Sequence, residues 1–202
     1  ALRRDAGMWR VTLGGVSGVS EVAARAVVNA AGPWTEAVAR LAAGNGGASE
    51  VGEEKSTSPR LRLVRGSHIV VPRIPGGDDA FLFQSPDGRV VFALPFEAAF
   101  TLIGTTDVPH TSDLRQVTPD VSEERYLLDV ANRFLRLPLT AADIVWRFAG
   151  VRPLDAADGE TNPSAVTRDY RLALDWGEGG TGPDGAPLLN VIGGKITTFR
   201  RL

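Results

Sequence analysis

Two arginines stand where they could do chemistry. Arg152, in Gly150-Val151-Arg152-Pro153, directly follows an apolar run, and Arg168 follows Val166-Thr167 at the start of the next one. A guanidinium is planar and permanently charged, and two of them can grip one phosphate or carboxylate dianion through paired hydrogen bonds. The alternative is that each pairs with Asp155, Asp158 or Asp169 close by in the chain, as an ordinary surface ion pair. Spacing alone leaves both readings open.

Gly193-Gly194-Lys195-Ile196-Thr197-Thr198 ends an apolar run and opens a polar, threonine-bearing first turn of a helix. Backbone N–H groups there favour an anion or an electron-rich carbonyl, and glycines admit a ligand close to the backbone. A tight strand–helix connection accounts for the same residues. The segment is not a P-loop, because the four-residue spacer and the Gly-Lys-Ser/Thr ending are absent. His68 stands in Gly66-Ser67-His68-Ile69, with a glycine two residues upstream that would give access to a base of near-neutral pKa. A hydrogen-bonded structural histidine is the competing reading. His110, in a polar loop, reads as a solvated side chain. Gly104-Thr105-Thr106-Asp107 suits either a ligand-orienting loop or the end of a strand with Asp107 capping a turn, and the second reading is preferred.

Composition removes several classes of chemistry. No cysteine is present among the 202 residues, which excludes disulfides, thiolate catalysis, cysteine-ligated zinc, iron–sulfur clusters and a cysteine-linked flavin. With His68 and His110 the only histidines, no metal site is expected. A formal net charge of −2 gives no general attraction to nucleic acid. No Gly-x-Gly-x-x-Gly joins a strand to a helix, since the glycines of the Gly177–Pro187 loop run on into Pro183-Asp184-Gly185, and there is no Gly-x-Ser-x-Gly elbow, so neither a dinucleotide fingerprint nor a Ser-His-Asp hydrolase is indicated.

These residues must be positioned by a mixed framework. Trp9–Leu13 alternates weakly before a GGVSG turn, and Ala26–Ala31 is a small-apolar run of the kind buried on both faces of a sheet. Pro33 suits the first turn of a helix over Trp34–Ala43. Residues 44–60 read as a surface loop or linker. Strands are expected at Leu61–Pro72, Phe81–Gln84, Val90–Leu94 and Thr101–Gly104, with Ser85-Pro86-Asp87-Gly88 as a turn and the pairing antiparallel. Ser122–Leu135 has helical periodicity, with Ser122 as cap and Leu127, Leu128, Val130, Ala131, Phe134 and Leu135 as its apolar stripe. A short helical turn is expected near Thr140, then strands at Asp143–Val151, Val166–Asp175 and Leu188–Ile192, the last two joined by a loop over Gly177–Pro187. The fold class is α+β: a mainly antiparallel sheet with a few helices, and pieces of an α/β layer at both ends. A chain that lacks an initiator Met and stops as a helix begins is expected to be an internal fragment.

Seven blocks carry a resemblance: VVNAAGPWTEAV (27–38), RLVRGSHIVVPR (62–73), RVVFALPFE (89–97), LIGTTDVPH (102–110), DIVWRFAGVRPL (143–154), VTRDYRL (166–172) and LLNVIGGKITTFR (188–200). In this order they resemble the FAD-dependent glycerol-3-phosphate dehydrogenases, the aerobic, quinone-linked flavoenzymes. The resemblance implies a substrate-binding domain over residues 33–187. It is flanked by remnants of a glutathione-reductase-like FAD-binding α/β domain over 1–32 and 188–202. It implies FAD as cofactor and oxidation of sn-glycerol 3-phosphate to dihydroxyacetone phosphate, with electrons passed to a quinone. The alternatives are an oxidase that uses oxygen and a non-enzymatic phosphometabolite-binding module.

By the same resemblance Arg152 and Arg168 hold the substrate phosphate. His68 borders the substrate hydroxyls and takes the C2-hydroxyl proton, an arginine or a water being the competing bases. Gly193, Gly194, Lys195, Ile196 and Thr197 meet the isoalloxazine ring, where Lys195 offsets charge on the reduced flavin. Ala30, Ala31 and Gly32 lie toward the FAD diphosphate or adenosine. The family's N-terminal glycine fingerprint, an early arginine-bearing segment and a C-terminal helical region are not in this sequence. The chain alone is therefore expected to bind FAD poorly and not to turn over. The family is peripheral to the inner face of the cytoplasmic membrane, and any anchor is expected in segments outside this chain.

Overall fold

Alternating apolar residues over Leu61–Pro72 build the longest strand among the described residues, and the sheet around it carries most of the site described below. The computed structural model describes residues 1–16, 18–44, 59–76, 78–156, 169–177 and 185–202. They form two compact units, Leu63–Arg152 and Ala1–Arg62 together with Pro153–Leu202.

The first of these units is built on a sheet that contains β5 (Leu61–Pro72), β6 (Phe81–Gln84), β7 (Val90–Phe96), β8 (Phe100–Gly104) and β10 (Trp146–Asp155) in the order β10-β5-β8-β7-β6. The two-residue strand β9 (Val108–Pro109) also pairs with β5. The β5–β8, β7–β8 and β6–β7 pairs are antiparallel, as the hairpin spacing predicts. The expected turn forms: the Gly88 N–H donates to the Ser85 carbonyl, and Gly88 takes the left-handed φ of 82° that only glycine adopts cheaply.

One face of this sheet buries Ile69, Val71, Val91, Ala93 and Ile103 against Leu127, Leu128, Val130 and Ala131 of α2 (Val121–Asn132). Each large side chain so buried contributes about 1.5–3 kcal/mol. The periodic stripe of α2 is as expected, but its ends are not. Asp120, not Ser122, is the cap: its carboxylate accepts the Glu123 N–H at 2.9 Å, and Glu123 accepts the Asp120 N–H at 3.1 Å. That reciprocal pair satisfies two orphan amides at once, whereas the Ser122 hydroxyl is used up donating to Asp120. The helix ends at Asn132, and Phe134 lies beyond it, stacked on Phe83 with ring centroids 4.8 Å apart. Thr140 opens a single 3₁₀ turn over Ala141–Asp143.

The second unit holds two three-stranded sheets. β1 (Leu2–Asp5), β2 (Met8–Gly15) and β3 (Gly18–Ala24) form an antiparallel meander, of which sequence patterning marks only the middle strand. The outer strands escape notice because β1 is four residues long and β3 is exposed along almost its whole length. β11 (Tyr170–Asp175), β12 (Leu188–Gly193) and β4 (Val27–Asn29) form the other sheet, β11–β12 antiparallel and β12–β4 parallel. A 3₁₀ turn over Gly32–Trp34 with Pro33 in it leads into α1 (Thr35–Ala43). Fully buried Trp9 and Leu188 pack with Ala42 and Ala186, and the Trp9 indole N–H donates to the Pro187 carbonyl at 2.9 Å.

The expected both-faces-buried strand over Ala26–Ala31 is shorter and more open than its composition suggests. β4 has three residues, β12 is its one partner among the described residues, and Val28 is 62% exposed. The C-terminal segment Ile196–Arg201 is a six-residue 3₁₀ helix rather than the opening of an α-helix. The fold is mixed and sheet-dominated, with two α-helices among the described residues. Most of the 44–60 segment, Asp158, Arg168 and most of the Gly177–Pro187 loop lie outside those residues.

Candidate functional site

In the Leu63–Arg152 unit, adjacent strands bring several polar side chains to one place. β5 contributes Gly66 and His68, β8 ends at Gly104, the Thr105–Asp107 stretch follows, and β10 contributes Phe148 and Arg152. Strand register places His68 opposite Gly104. A β-carbon on Gly104 would lie 2.1 Å from His68 Cδ2, so the imidazole occupies the space that a side chain here would need. Phe148 stacks beside it at a centroid distance of 4.9 Å with the planes 5° apart. Burial, and secondarily the nearby Arg152 charge, holds the His68 pKa below the ordinary value of 6.5. The ring is therefore neutral at pH 7. Its Nδ1 is buried with no hydrogen-bond partner among the described residues, which leaves Nε2 as the nitrogen that a ligand would meet.

Arg152 is anchored through Nη2. That nitrogen donates to the Thr106 carbonyl at 2.9 Å and to Asp107 Oδ1 at 2.6 Å. Gly66 makes the room, because a β-carbon there would lie 2.5 Å from Thr105 Oγ1 and 2.9 Å from Arg152 Nη2. The glycine upstream of His68 thus accommodates the protein's own side chains rather than ligand access. Asp107 pairs with Arg152 and does not cap a turn, although β8 does end where expected. Neither is Asp155 the partner of Arg152: it is buried and paired with Arg171.

Beneath the loop sits a buried carboxylate that sequence reasoning missed. Glu123 is 3% exposed, and its Oε1 accepts from Ser67 Oγ at 2.8 Å and Thr106 Oγ1 at 2.6 Å. Its Oε2 lies 2.6 Å from Arg65 Nη2. Thr106 in turn accepts the Ser67 N–H at 2.9 Å. The only hint in the sequence is an acidic residue three positions after Asp120. Phe148 likewise sits in an apolar run with nothing to distinguish it. His110, expected in solvent, is 5% exposed, and neither ring nitrogen has a hydrogen-bond partner among the described residues. Its backbone N–H closes on the Leu63 carbonyl just after β9 pairs with β5, and that pairing carries the side chain out of water.

The other candidate residues lie in the second unit. β4 and β12 run parallel, with Asn29 opposite Asn190, so Ala30–Gly32 and Gly193–Thr197 leave the sheet at the same, carboxyl end. That edge is where open parallel layers bind ligands. The two asparagines are buried and joined, Asn29 Nδ2 donating to Asn190 Oδ1 at 2.7 Å and to the Thr35 carbonyl at 2.9 Å. Gly32 has a φ of 57° and open space where a β-carbon would stand, so its backbone can be approached closely. Gly193 and Gly194 have φ values of 69° and 78°. The side of Gly194 is filled by the Tyr170 ring, 2.2 Å from where a β-carbon would be, and the Tyr170 hydroxyl donates to the Lys195 carbonyl at 3.1 Å. Lys195, Ile196 and Thr197 are exposed.

Comparison with known proteins gives this geometry a context. Residues 1–188 match the family model described as FAD dependent oxidoreductase. A glycerol-3-phosphate dehydrogenase of Pseudomonas aeruginosa is 44% identical over 202 residues, which cover 99% of this chain and 36% of that protein. A D-erythritol 1-phosphate dehydrogenase of Brucella abortus is 46% identical, over 99% of this chain and 37% of its own length. The crystal structure of the Bacillus halodurans glycerol-3-phosphate dehydrogenase complexed with FAD superposes with a TM-score of 0.69 at 29% identity, covering 98% of this chain and 34% of that one. The chain thus spans about a third of the length of the relatives that it matches. With a family match across most of its length and relatives above 40% identity, the chain belongs to the FAD dependent oxidoreductase family.

Proposed function

We propose that this chain is the substrate-binding part, with two flavin-contacting segments, of an enzyme that oxidises a phosphorylated polyol, sn-glycerol 3-phosphate to dihydroxyacetone phosphate. The observation that carries the reading is a fixed guanidinium beside a neutral imidazole, Arg152 next to His68. The names of the similar proteins, both phosphopolyol dehydrogenases, support it. Residues 1–32 and 188–202 are assigned to the FAD-binding layer and 33–187 to substrate binding. In support, β4 and β12 share one parallel pairing.

The residues fit FAD at the carboxyl end of that pairing. Gly32 is open to close approach, and Ala31, Gly193, Gly194, Lys195, Ile196 and Thr197 line the two segments that leave there. FAD, when bound, accepts the hydrogen and the electron pair removed from the alcohol carbon. In this reading Arg152 binds the phosphate, and Arg168, outside the described residues, is its second arm. His68 takes the C2-hydroxyl proton at Nε2, and its lowered pKa keeps it unprotonated and ready as a base at neutral pH. Phe148 and Gly104 hold the ring in one plane. Lys195 supplies positive charge beside the cofactor segment. The acceptor that would take the electrons from the reduced cofactor is a quinone at the inner face of the cytoplasmic membrane. The 202-residue chain alone binds FAD weakly and does not turn over.

The test is an anaerobic titration of the intact protein with glycerol 3-phosphate, following oxidised-flavin absorbance. Bleaching by this substrate and not by amino acids is the expected result. The Brucella relative gives a second reading its own observation, so D-erythritol 1-phosphate is titrated alongside. If only the erythritol ester bleaches the flavin, the substrate changes but the site assignment stands. Flavin that stays yellow with both overturns the proposal.

A further inference from the structure

We propose that Asp107 is an exchangeable internal counter-ion of Arg152, which an incoming phosphate must displace before the guanidinium can grip it with two hydrogen bonds. The inference rests on the reading of Arg152 as the anion-binding residue. It follows from a count of donors. A guanidinium has five N–H groups and two edges that can hold an anion with a pair of parallel bonds, Nη1 with Nη2 and Nε with Nη2. Both edges need Nη2. In this structure both Nη2 hydrogens have acceptors, the Thr106 carbonyl at 2.9 Å and Asp107 Oδ1 at 2.6 Å. Neither edge is available until one acceptor leaves.

The surroundings decide which one leaves. Thr106 is 1% exposed and pinned from two sides, its hydroxyl donating to Glu123 at 2.6 Å and accepting from the Ser67 amide at 2.9 Å. Its carbonyl also accepts from Thr105 Oγ1 at 3.2 Å. The Asp107 side chain is 25% exposed, in an irregular stretch between β8 and β9, and Arg152 is its one ion-pair partner among the described residues. Its carboxylate is therefore the contact that yields. A phosphate dianion arriving at this guanidinium meets a like charge already bound there, so the measured affinity is the intrinsic affinity less the cost of that exchange.

The consequence has a sign that a merely supporting role for Asp107 does not share. In Asp107→Asn the internal competitor becomes a neutral amide. A hydrogen bond to a charged group is worth about 1–1.5 kcal/mol more than a neutral one, so anion affinity rises about tenfold. A residue that only orients Arg152 gives the opposite result, since its loss weakens binding.

The experiment is calorimetric titration of the intact protein with inorganic phosphate and with glycerol 3-phosphate, using wild type, Asp107→Asn, Asp107→Ser and Arg152→Met. Tighter binding in both Asp107 variants, with binding lost in Arg152→Met, is the expected pattern. Equal or weaker binding in the Asp107 variants, with Arg152→Met still defective, overturns the exchange but keeps Arg152 as the anion site. Undiminished binding in Arg152→Met overturns that underlying reading instead. Should neither Asp107 variant fold, a structure of the wild-type protein with bound phosphate decides. The Asp107–Arg152 bond is broken if exchange occurs, and an intact bond beside a two-pronged phosphate refutes it.

Discussion

His68 is shaped by what its neighbours lack as much as by what they supply. No side chain on Gly104 stands in its way, no hydrogen-bond partner among the described residues meets Nδ1, and most of the ring is buried. Burial is the larger cause of its lowered pKa and the Arg152 charge the smaller, so the two can be separated. In Arg152→Met the His68 pKa should rise part of the way back toward 6.5, measured by ¹⁵N NMR of the imidazole. No movement would show that Arg152 is too far away to act. The sign for stability follows. Below pH 6.5 the unfolded chain takes up a proton that the folded protein resists, so His68 costs stability as the pH falls through that window and nothing above it. Gly104→Ala should tilt or eject the ring, because a methyl group 2.1 Å from Cδ2 cannot coexist with it. Loss of catalytic rate in the intact protein, with the fold retained by circular dichroism, is the expected result. Nothing in the string GSHIVVP discloses any of this. The histidine is visible as a candidate, but the glycine beneath it lies 36 positions away and meets it only through strand register.

At the scale of elements, patterning succeeds where one face is wet and the other dry. β5, β6 and the stripe of α2 appear where their alternation or periodicity puts them. It fails where burial is slight, as along β3, or where two caps compete, as at Asp120 and Ser122. The two reasons for Glu123 to be acidic are also hidden: one capping bond to Asp120 and three bonds that reach β5 and the Thr105–Asp107 stretch. They predict unequal costs. Asp120→Ala removes a cap and a half-exposed ion pair with Arg65, and should cost about 1–2 kcal/mol. Glu123→Ala leaves Arg65 with Asp120 alone, at 2.7 Å, and leaves the buried Ser67 and Thr106 hydroxyls without their acceptor, and should cost about 3 kcal/mol. Denaturant unfolding of both variants measures the difference, and equal losses would mean that the buried carboxylate does no more than cap the helix.

For the whole molecule, the mixed, sheet-dominated character with few helices is recoverable from composition and spacing, while the boundaries of its compact units are not, because β5 and β10 run through them without a break. Among the described residues no helix is long and apolar enough to cross a membrane. The proposed FAD cradle consists of two short segments at one sheet edge, and the relatives extend over nearly three times this length. Fluorescence titration with FAD should therefore show weak binding by the 202 residues alone and tight binding by the intact protein, whereas equal affinities would place the whole cofactor site within this chain. The shared carboxylate of Glu123 has one more consequence. A substitution there disturbs the start of α2 and the seat of Arg152 together, so folding and ligand recognition cannot drift apart along that route. Asp107 and Phe148 carry no such double duty. Under the proposed function, a lineage that changes its substrate has its freedom on that side of the site, and comparing the Pseudomonas and Brucella relatives at those two positions would show whether it has used it.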